Sequence, residues 1–414
     1  MTHPNRRNAL AAMLGLPAMA MNLKSPPLPD PALSQSAPEK YWRAIRDDQF
    51  LLPGWRSYMN NGSLGVAPKP VVSAMVEYQE KSSSLEVDGY PRWGYETLDA
   101  HREKLALQFG CKKDELALMH NATEAMSTVA AGLDLSAGDE VIMTDQEHPS
   151  GKGGWTVRQA RHGVAIKTVA IPLPPRDPAQ IADLLISAIG PRTRVLSFSG
   201  ITTTTGLILP VKEICSAARA KGVITLVDGA HMHGQIPVNM HDLGCDFMAG
   251  SPHKWLFAPA GCGLLYIREE MLDQLWPAIT TDAWKNKDLK AARFMMMGTN
   301  NRAIFEGMMA GLDFAGAIGP DRIYNRIHQL ARNAFDRARK LPYLKMLTPD
   351  NDSMFGSLVS FQMTPDHYKR FAAACAKKRI WILQSERMRI ATHIHTRPED
   401  VNQFFEVLEE TKTA

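Results

Sequence analysis

The chain has 414 residues, 45% of them apolar, enough to bury a large core and to form one large domain with a smaller one rather than a short binding module. Its formal charge of +4 is spread along the sequence without a long basic run, which leaves no footprint for a nucleic acid or an anionic membrane surface and points to a small-molecule partner. Cys111, Cys215, Cys245, Cys262 and Cys375 are odd in number, far apart and without a CxxC pair, so they read as core thiols and not as a zinc knuckle or a disulfide framework.

In chain order, "NRRNALAAMLGLPAMAM" combines Arg6 and Arg7, an apolar stretch and an AxA ending at Ala20, the layout of a twin-arginine export signal over residues 1–20. This implies a periplasmic or otherwise exported protein. The apolar part, residues 9–21, is too short and interrupted for a stable membrane span. The proline- and serine-rich "SPPLPDPALSQSAP" then predicts an exposed linker over residues 21–40, with the fold starting near Tyr41.

From Glu115 onward, β-like runs alternate with helical patterns: "ELALMHN", "TEAMSTVAAGL", "DEVIMTD", "AIKTVAI", "AQIADLLISAI", "RVLSFSGI", "VKEICSAARAKG" and "VITLVDGA". Alternating βα units predict an α/β fold with a mostly parallel sheet flanked by helices, here within a large domain over residues 41–300. A Met-rich irregular stretch around "FMMMGTNNRAIFEG" leads into amphipathic helices over residues 305–340. "GSLVSFQM", "HYKRFAAACAKKR", "RMRIATHI" and "PEDVNQFFEVLEE" then predict a smaller α+β C-terminal domain, residues 301–414.

Ligands of open parallel sheets bind beyond the carboxyl ends of the strands, and the chemically suggestive residues follow β-like runs. "VITLVDGAHMHG" ends its apolar run on Asp228, and Lys254 in "SPHKWLFAPAGCG" follows the short run "CDFMAGS". A carboxylate at the end of a buried strand needs a cationic partner. Pyridoxal 5'-phosphate requires both groups: a lysine for its aldehyde and a carboxylate to keep its ring nitrogen protonated. A desolvated lysine has a depressed pKa and serves as nucleophile and proton carrier.

For the phosphate, "HNATEAMS" offers the backbone N–H groups of Ala122, Thr123 and Glu124 at a helix N-terminus, and Ser251 and His253 add side-chain donors. "NATE" alone is an ordinary capping sequence. "TDQEHPSGKGGW" places His148 at a strand end, where an imidazole would stack on a pyridine ring. Two rivals are a hydrolase with a metal held by His231, His233, His241, His148 and Asp228, which leaves Lys254 without a role, and a binding protein that has lost turnover.

"YMNNGSLGVAPKPV", "NATEA", "EHPS", "ITTTTGLILPV", "VDGAH", "SPHKW", "GTNN" and "RMRIATHIHTRPEDV", in this order, resemble the class V aminotransferase family of fold-type I pyridoxal-phosphate enzymes, within it the isopenicillin N epimerase-like branch. The resemblance implies that Lys254 carries the Schiff base and shuttles the proton at the substrate α-carbon. It places Asp228 on the ring nitrogen, His148 on the ring face, His231 near the ring hydroxyl, and Thr123, Ser251 and His253 on the phosphate. Arg389 would grip the substrate carboxylate, Asn61 would border the substrate, and Thr299 would reach the phosphate of a neighbouring subunit, making a homodimer with shared sites. The implied activity is aminotransferase- or epimerase-type chemistry on an amino acid or an amine-bearing peptide metabolite, and exported relatives of this kind act in siderophore maturation. A β-eliminating C–S lyase is the alternative outcome. Cysteine desulfurases carry a catalytic cysteine shortly before the carboxylate-binding arginine, whereas "RIWILQSERMR" holds none, which argues against that activity.

Overall fold

In the computed structural model, residues 23–85 and 96–412 are described. The export signal expected over residues 1–20 lies outside them. The N-terminal helices are α1 (Pro38–Gln49), α2 (Lys69–Ser84) and α3 (Asp99–Gln108). The expected linker is only partly one. Residues Leu33–Ser36 are already helical, α1 begins at Pro38, and Leu28 and Leu33 pack on the main core. Proline at the first turn of α1 fits a helix start as well as a linker, because the N–H it lacks has no intrahelical partner there.

The large unit is built on β1 (Leu116–Met119), α4 (Ala122–Gly132), β2 (Glu140–Thr144), α5 (Pro149–His162), β3 (Ala165–Val169), α6 (Pro178–Ala188), β4 (Thr193–Ser199), α7 (Val211–Ala220), β5 (Ile224–Asp228), β6 (Phe247–Gly250) and β7 (Gly263–Ile267). The seven strands run in the order β1-β7-β6-β5-β4-β2-β3. All neighbours pair in parallel except β7, which is antiparallel to both β1 and β6. Strands β6 and β7, and even the edge strand β1, are buried at every residue, as expected for a sheet covered on both faces. In α7, Val211, Ile214, Cys215 and Ala218 form a buried stripe at helical spacing.

Helix α5 has no counterpart among the helical patterns expected from the sequence. His148 therefore sits at the N-cap of a helix and not directly on a strand end. Its side chain caps the helix, Pro149 occupies the first turn, and Gly163 at φ +69° closes it. A Cβ at Gly154 would lie 2.8 Å from the Ala130 Cβ, so this glycine lets α5 approach α4 closely.

The C-terminal part comprises α8 (Ala303–Ile318), α9 (Pro320–Ala338), β8 (Lys345–Met346), β9 (Leu358–Gln362), α10 (Pro365–Lys377), β10 (Arg387–Ala391) and α11 (Pro398–Glu410). Strands β10, β9 and β8 form an antiparallel sheet. Packing does not divide sharply at residue 300, and α9 contributes to both cores. Phe305, Met308 and Leu312 of α8 and Ile323 and Ile327 of α9 belong to the large core, whereas Leu330, Ala334 and Ala338 join the core of the smaller unit. Met59 also lies in the smaller core, because Ser57–Tyr58 pairs with Ile380–Trp381.

Candidate active site

A cavity opens beyond the carboxyl ends of the parallel strands, near the switch point where β3 and β4 flank β2. It spans about 810 Å³, part of it open to solvent, and its lining includes His148, Thr203, Asp228, His231, Ser251 and Lys254. Behind Trp255 lies a second cavity of about 760 Å³ with no lysine or arginine in its wall, so it has no group to bind an aldehyde or anchor a carboxylate.

Lys254 leaves β6 through the one-turn helix Pro252–Trp255, and its Nζ lies 3.1 Å from His231 Nε2. Burial lowers its pKa to about 8; Asp228 opposes that shift and Arg389 adds to it. Its backbone is clamped from the N-terminal segment. Asn61 Nδ2 donates to the Lys254 carbonyl at 2.7 Å, and the Gly65 N–H donates to the His253 carbonyl at 2.9 Å. Asn61 was expected to border the substrate, but the geometry puts it elsewhere: its Oδ1 accepts from His395 Nε2 at 3.2 Å, so both ends of the amide are used in holding the lysine turn. Its neighbours Gly62 and Ser63 line the cavity.

A Cβ at Gly65 would overlap the Lys254 carbonyl oxygen. Gly65→Ala is therefore expected to cost about 1–3 kcal/mol through overpacking and to slow aldehyde capture by the lysine. A thermal melt together with borohydride trapping checks both effects. An unchanged melt and unchanged trapping would contradict the clamp.

Asp228 ends β5 with its side chain largely buried, and Oδ1 accepts from the Ala230 N–H at 3.0 Å. No cation, Lys254 included, lies within 4 Å of it among the described residues. A buried carboxylate without a cation is costly, and the protonated nitrogen of a pyridine ring would remove that cost.

His148 Nδ1 accepts from the Ser150 N–H at 3.1 Å, which leaves Nε2 as the protonated nitrogen of the neutral ring. Burial and the charge of Lys254 lower its pKa and favour that neutral form. Next to it, the buried Glu147 accepts from Thr144 and from Ser199 Oγ, the latter at 2.6 Å. Burial lifts its pKa to about 7, with Asp228 adding to the shift and the hydroxyl donors opposing it. Sequence reading passed over Glu147, although a Glu-His pair after a strand was a usable signal.

The anion cradle is narrower than expected. At the start of α4, the Ala122 N–H donates to Ser251 Oγ at 3.1 Å and the Glu124 N–H to the capping Asn121 Oδ1 at 3.0 Å. The Glu124 carboxylate turns to His120 and does not line the cavity. Thr123 stays exposed on the cavity wall, with Ser251 and His253 beside it. His253 Nδ1 donates to the Cys262 carbonyl at 3.1 Å, so Nε2 donates to an anion only as imidazolium. Burial and Lys254 disfavour that form, and a phosphate dianion would restore it.

Arg389 on β10 is 3% exposed, and its pKa falls to about 10 through burial, still charged near neutrality. Nη1 donates to the Thr203 carbonyl, and Nη2 donates to Asn60 Oδ1 at 3.0 Å and Ser63 Oγ at 3.1 Å. These acceptors are neutral. Among the described residues no carboxylate pairs with this guanidinium. Gly62 packs on it, with room for no Cβ beyond 3.0 Å from Cζ. Thr203 also reaches His231 Nε2 at 3.2 Å.

Thr299 is exposed outside this cavity. The metal set required by the hydrolase rival does not converge. His233 donates Nδ1 to the Gly229 carbonyl and packs on Phe109, while His241 pairs with Glu115. None of the five cysteines lines the cavity.

The groups present fit pyridoxal phosphate: an unpaired buried carboxylate, a lysine poised near pH 8, and a helix N-terminus with flanking donors. The chain matches the family Aminotransferase class-V over residues 58–395. Isopenicillin N epimerase of Streptomyces clavuligerus is 32% identical over 375 residues, which span 86% of this chain and 91% of that protein. A probable cysteine desulfurase of Halalkalibacterium halodurans is 26% identical over 387 residues, 86% of this chain and 93% of its own. Among solved structures, the cystine C–S lyase C-DES in complex with its product cysteine persulfide superposes with a TM-score of 0.77 at 25% identity, covering 86% of this chain and 97% of that one. The protein thus belongs to the class V aminotransferase family and is a pyridoxal-phosphate-dependent enzyme.

Proposed function

We propose that this enzyme acts at the amino group or α-carbon of an amino acid or amine-bearing peptide metabolite, such as a peptide siderophore, with an epimerase- or aminotransferase-type outcome. The observation that carries the proposal is Arg389, a buried guanidinium with only neutral acceptors, which sits directly behind the cavity wall through its bonds to Ser63 and Thr203 and whose charge reaches Lys254. A substrate carboxylate is the missing counter-charge, and a planar guanidinium fixes its orientation.

Pyridoxal phosphate, when bound, supplies an aldehyde for the substrate amine and a protonated ring that withdraws electrons from the α-carbon. Asp228 would hold the proton at the ring nitrogen, and His148 would lie against the ring. Lys254 Nζ, its pKa lowered to about 8 by burial, would take the α-proton and return it.

Incubation of the holo-protein with amino acids and amine-bearing peptides in D2O tests the reading. The expected result is deuterium at the α-carbon, with inverted configuration for an epimerase or a keto product for an aminotransferase. Likeness to C-DES supports β-elimination as a second reading, and pyruvate, ammonia and a persulfide from cystine would select it. No α-deuteration and no product from any of these amines would overturn the proposal.

We further propose export in a folded, cofactor-loaded state, supported by Arg6 and Arg7 ahead of the apolar stretch. Replacing both arginines by lysine is expected to leave the protein in the cytoplasm, read by fractionation; unchanged export would contradict it. A homodimer with Thr299 reaching the partner's phosphate site also belongs to this reading, supported by the exposure of Thr299 away from its own cavity.

A further inference from the structure

His231 is fully enclosed and both ring nitrogens are engaged. Nδ1 lies 3.2 Å from Trp255 Nε1, and Nε2 lies 3.1 Å from Lys254 Nζ and 3.2 Å from Thr203 Oγ1. An indole N–H only donates, so Nδ1 must be the unprotonated nitrogen. Burial keeps the ring neutral, and its one proton then sits on Nε2. An Nε2–H directed at Lys254 needs a lone pair on the amine. An ammonium group has none.

We propose that Trp255 is a positioning residue whose indole N–H locks His231 in the Nε2–H tautomer, so that the ring donates to Lys254 Nζ and holds the amine in its nucleophilic, proton-accepting form. The inference rests on the reading of Lys254 as the cofactor lysine. Trp255 is suited to the task because it does not move freely. It is fully buried, its ring stacks on His393 at 5.7 Å and 20°, and its carbonyl accepts from His393 Nε2 at 3.1 Å. The backbone of His231 is pinned as well, since Gln235 Nε2 donates to its carbonyl at 2.6 Å.

The other groups facing the amine are charged or titratable: Asp228 from β5, Arg389 from β10, His148 at the start of α5, and His253 in the lysine's own turn. Asp228 favours the ammonium, and Arg389 disfavours it. The indole carries no charge. Removing its N–H therefore acts on Lys254 only through the imidazole, which becomes free to place its proton on Nδ1 and accept from the ammonium through Nε2.

Two readouts on the cofactor-free protein test this. In protein labelled with ¹⁵N-histidine, His231 is expected to show an unprotonated Nδ1 and a protonated Nε2, and Trp255→Phe is expected to populate the other tautomer. The pH dependence of reductive capture of pyridoxal phosphate on Lys254, followed by peptide mass, is the second readout. Its midpoint is expected to rise by roughly half to one pH unit in Trp255→Phe, the worth of about one net hydrogen bond. In a His231→Gln background the amide donates without help from the indole, and Trp255→Phe is expected to leave the midpoint in place. A protonated Nδ1 in the unmodified protein would overturn the proposal even if Trp255→Phe does not fold, as would an unchanged midpoint in a folded variant. Failure of the unmodified protein to capture the aldehyde at Lys254 would instead overturn the cofactor reading, while the tautomer measurement stands by itself.

Discussion

Lys254→Ala is expected to lower turnover by about 10⁴-fold or more, because it removes a nucleophile and a general base in one side chain. Among the described residues lining the cavity no other lysine is present to replace it. With a pKa of about 8, roughly a tenth of the amine is neutral at pH 7, against about one part in three thousand for an ordinary lysine near 10.5. Activity of the unmodified enzyme should therefore climb with pH and level off just above 8. The same depression has a stability consequence. Between about pH 8 and 10.5 the unfolded chain binds this proton and the folded chain does not, so stability rises with pH in that window. The cofactor-free protein should gain on its Lys254→Ala variant as pH rises from 8 to 10, read from paired denaturant melts. Residual turnover within tenfold of the unmodified enzyme would contradict the assignment.

Arg389→Gln carries the second large effect. Removing one side of a buried charge pair costs about 2–5 kcal/mol, which corresponds to a loss of roughly 30- to 5,000-fold in kcat/KM. The loss should be confined to substrates with a carboxylate beside the amine. For a matching amine without that group the variant should lose little, since the guanidinium then has nothing to hold. Rates for an amino acid and its decarboxylated counterpart, measured on both proteins, separate an anchor from a residue that merely supports β10. Equal losses on both substrates would favour the structural role, because Arg389 also bridges Thr203, Asn60 and Ser63.

The sequence made the sheet legible where apolar runs end on polar chemistry. "VITLVD" and "CDFMAGS" gave β5 and β6, and with them the positions of Asp228 and Lys254. It concealed α5, because glycines needed for close packing on α4 look locally like loop residues. The antiparallel setting of β7 was equally hidden, since a buried strand reads the same in either direction. Side-chain roles decided by long-range partners were the least accessible. Asn61 looked like a substrate contact until its amide was found between Lys254 and His395. Glu124 looked like an anion donor until its N–H was found capped by Asn121. The coupling of His231 to Trp255 spans 24 positions and has no local signature.

The most direct test of the account is where the cofactor attaches. Holo-protein reduced with borohydride and digested should carry a single phosphopyridoxyl group, on the peptide containing Lys254, with loss of the visible absorption band. A label on another lysine, or full retention of pyridoxal phosphate with Lys254 unmodified, would contradict the central claim.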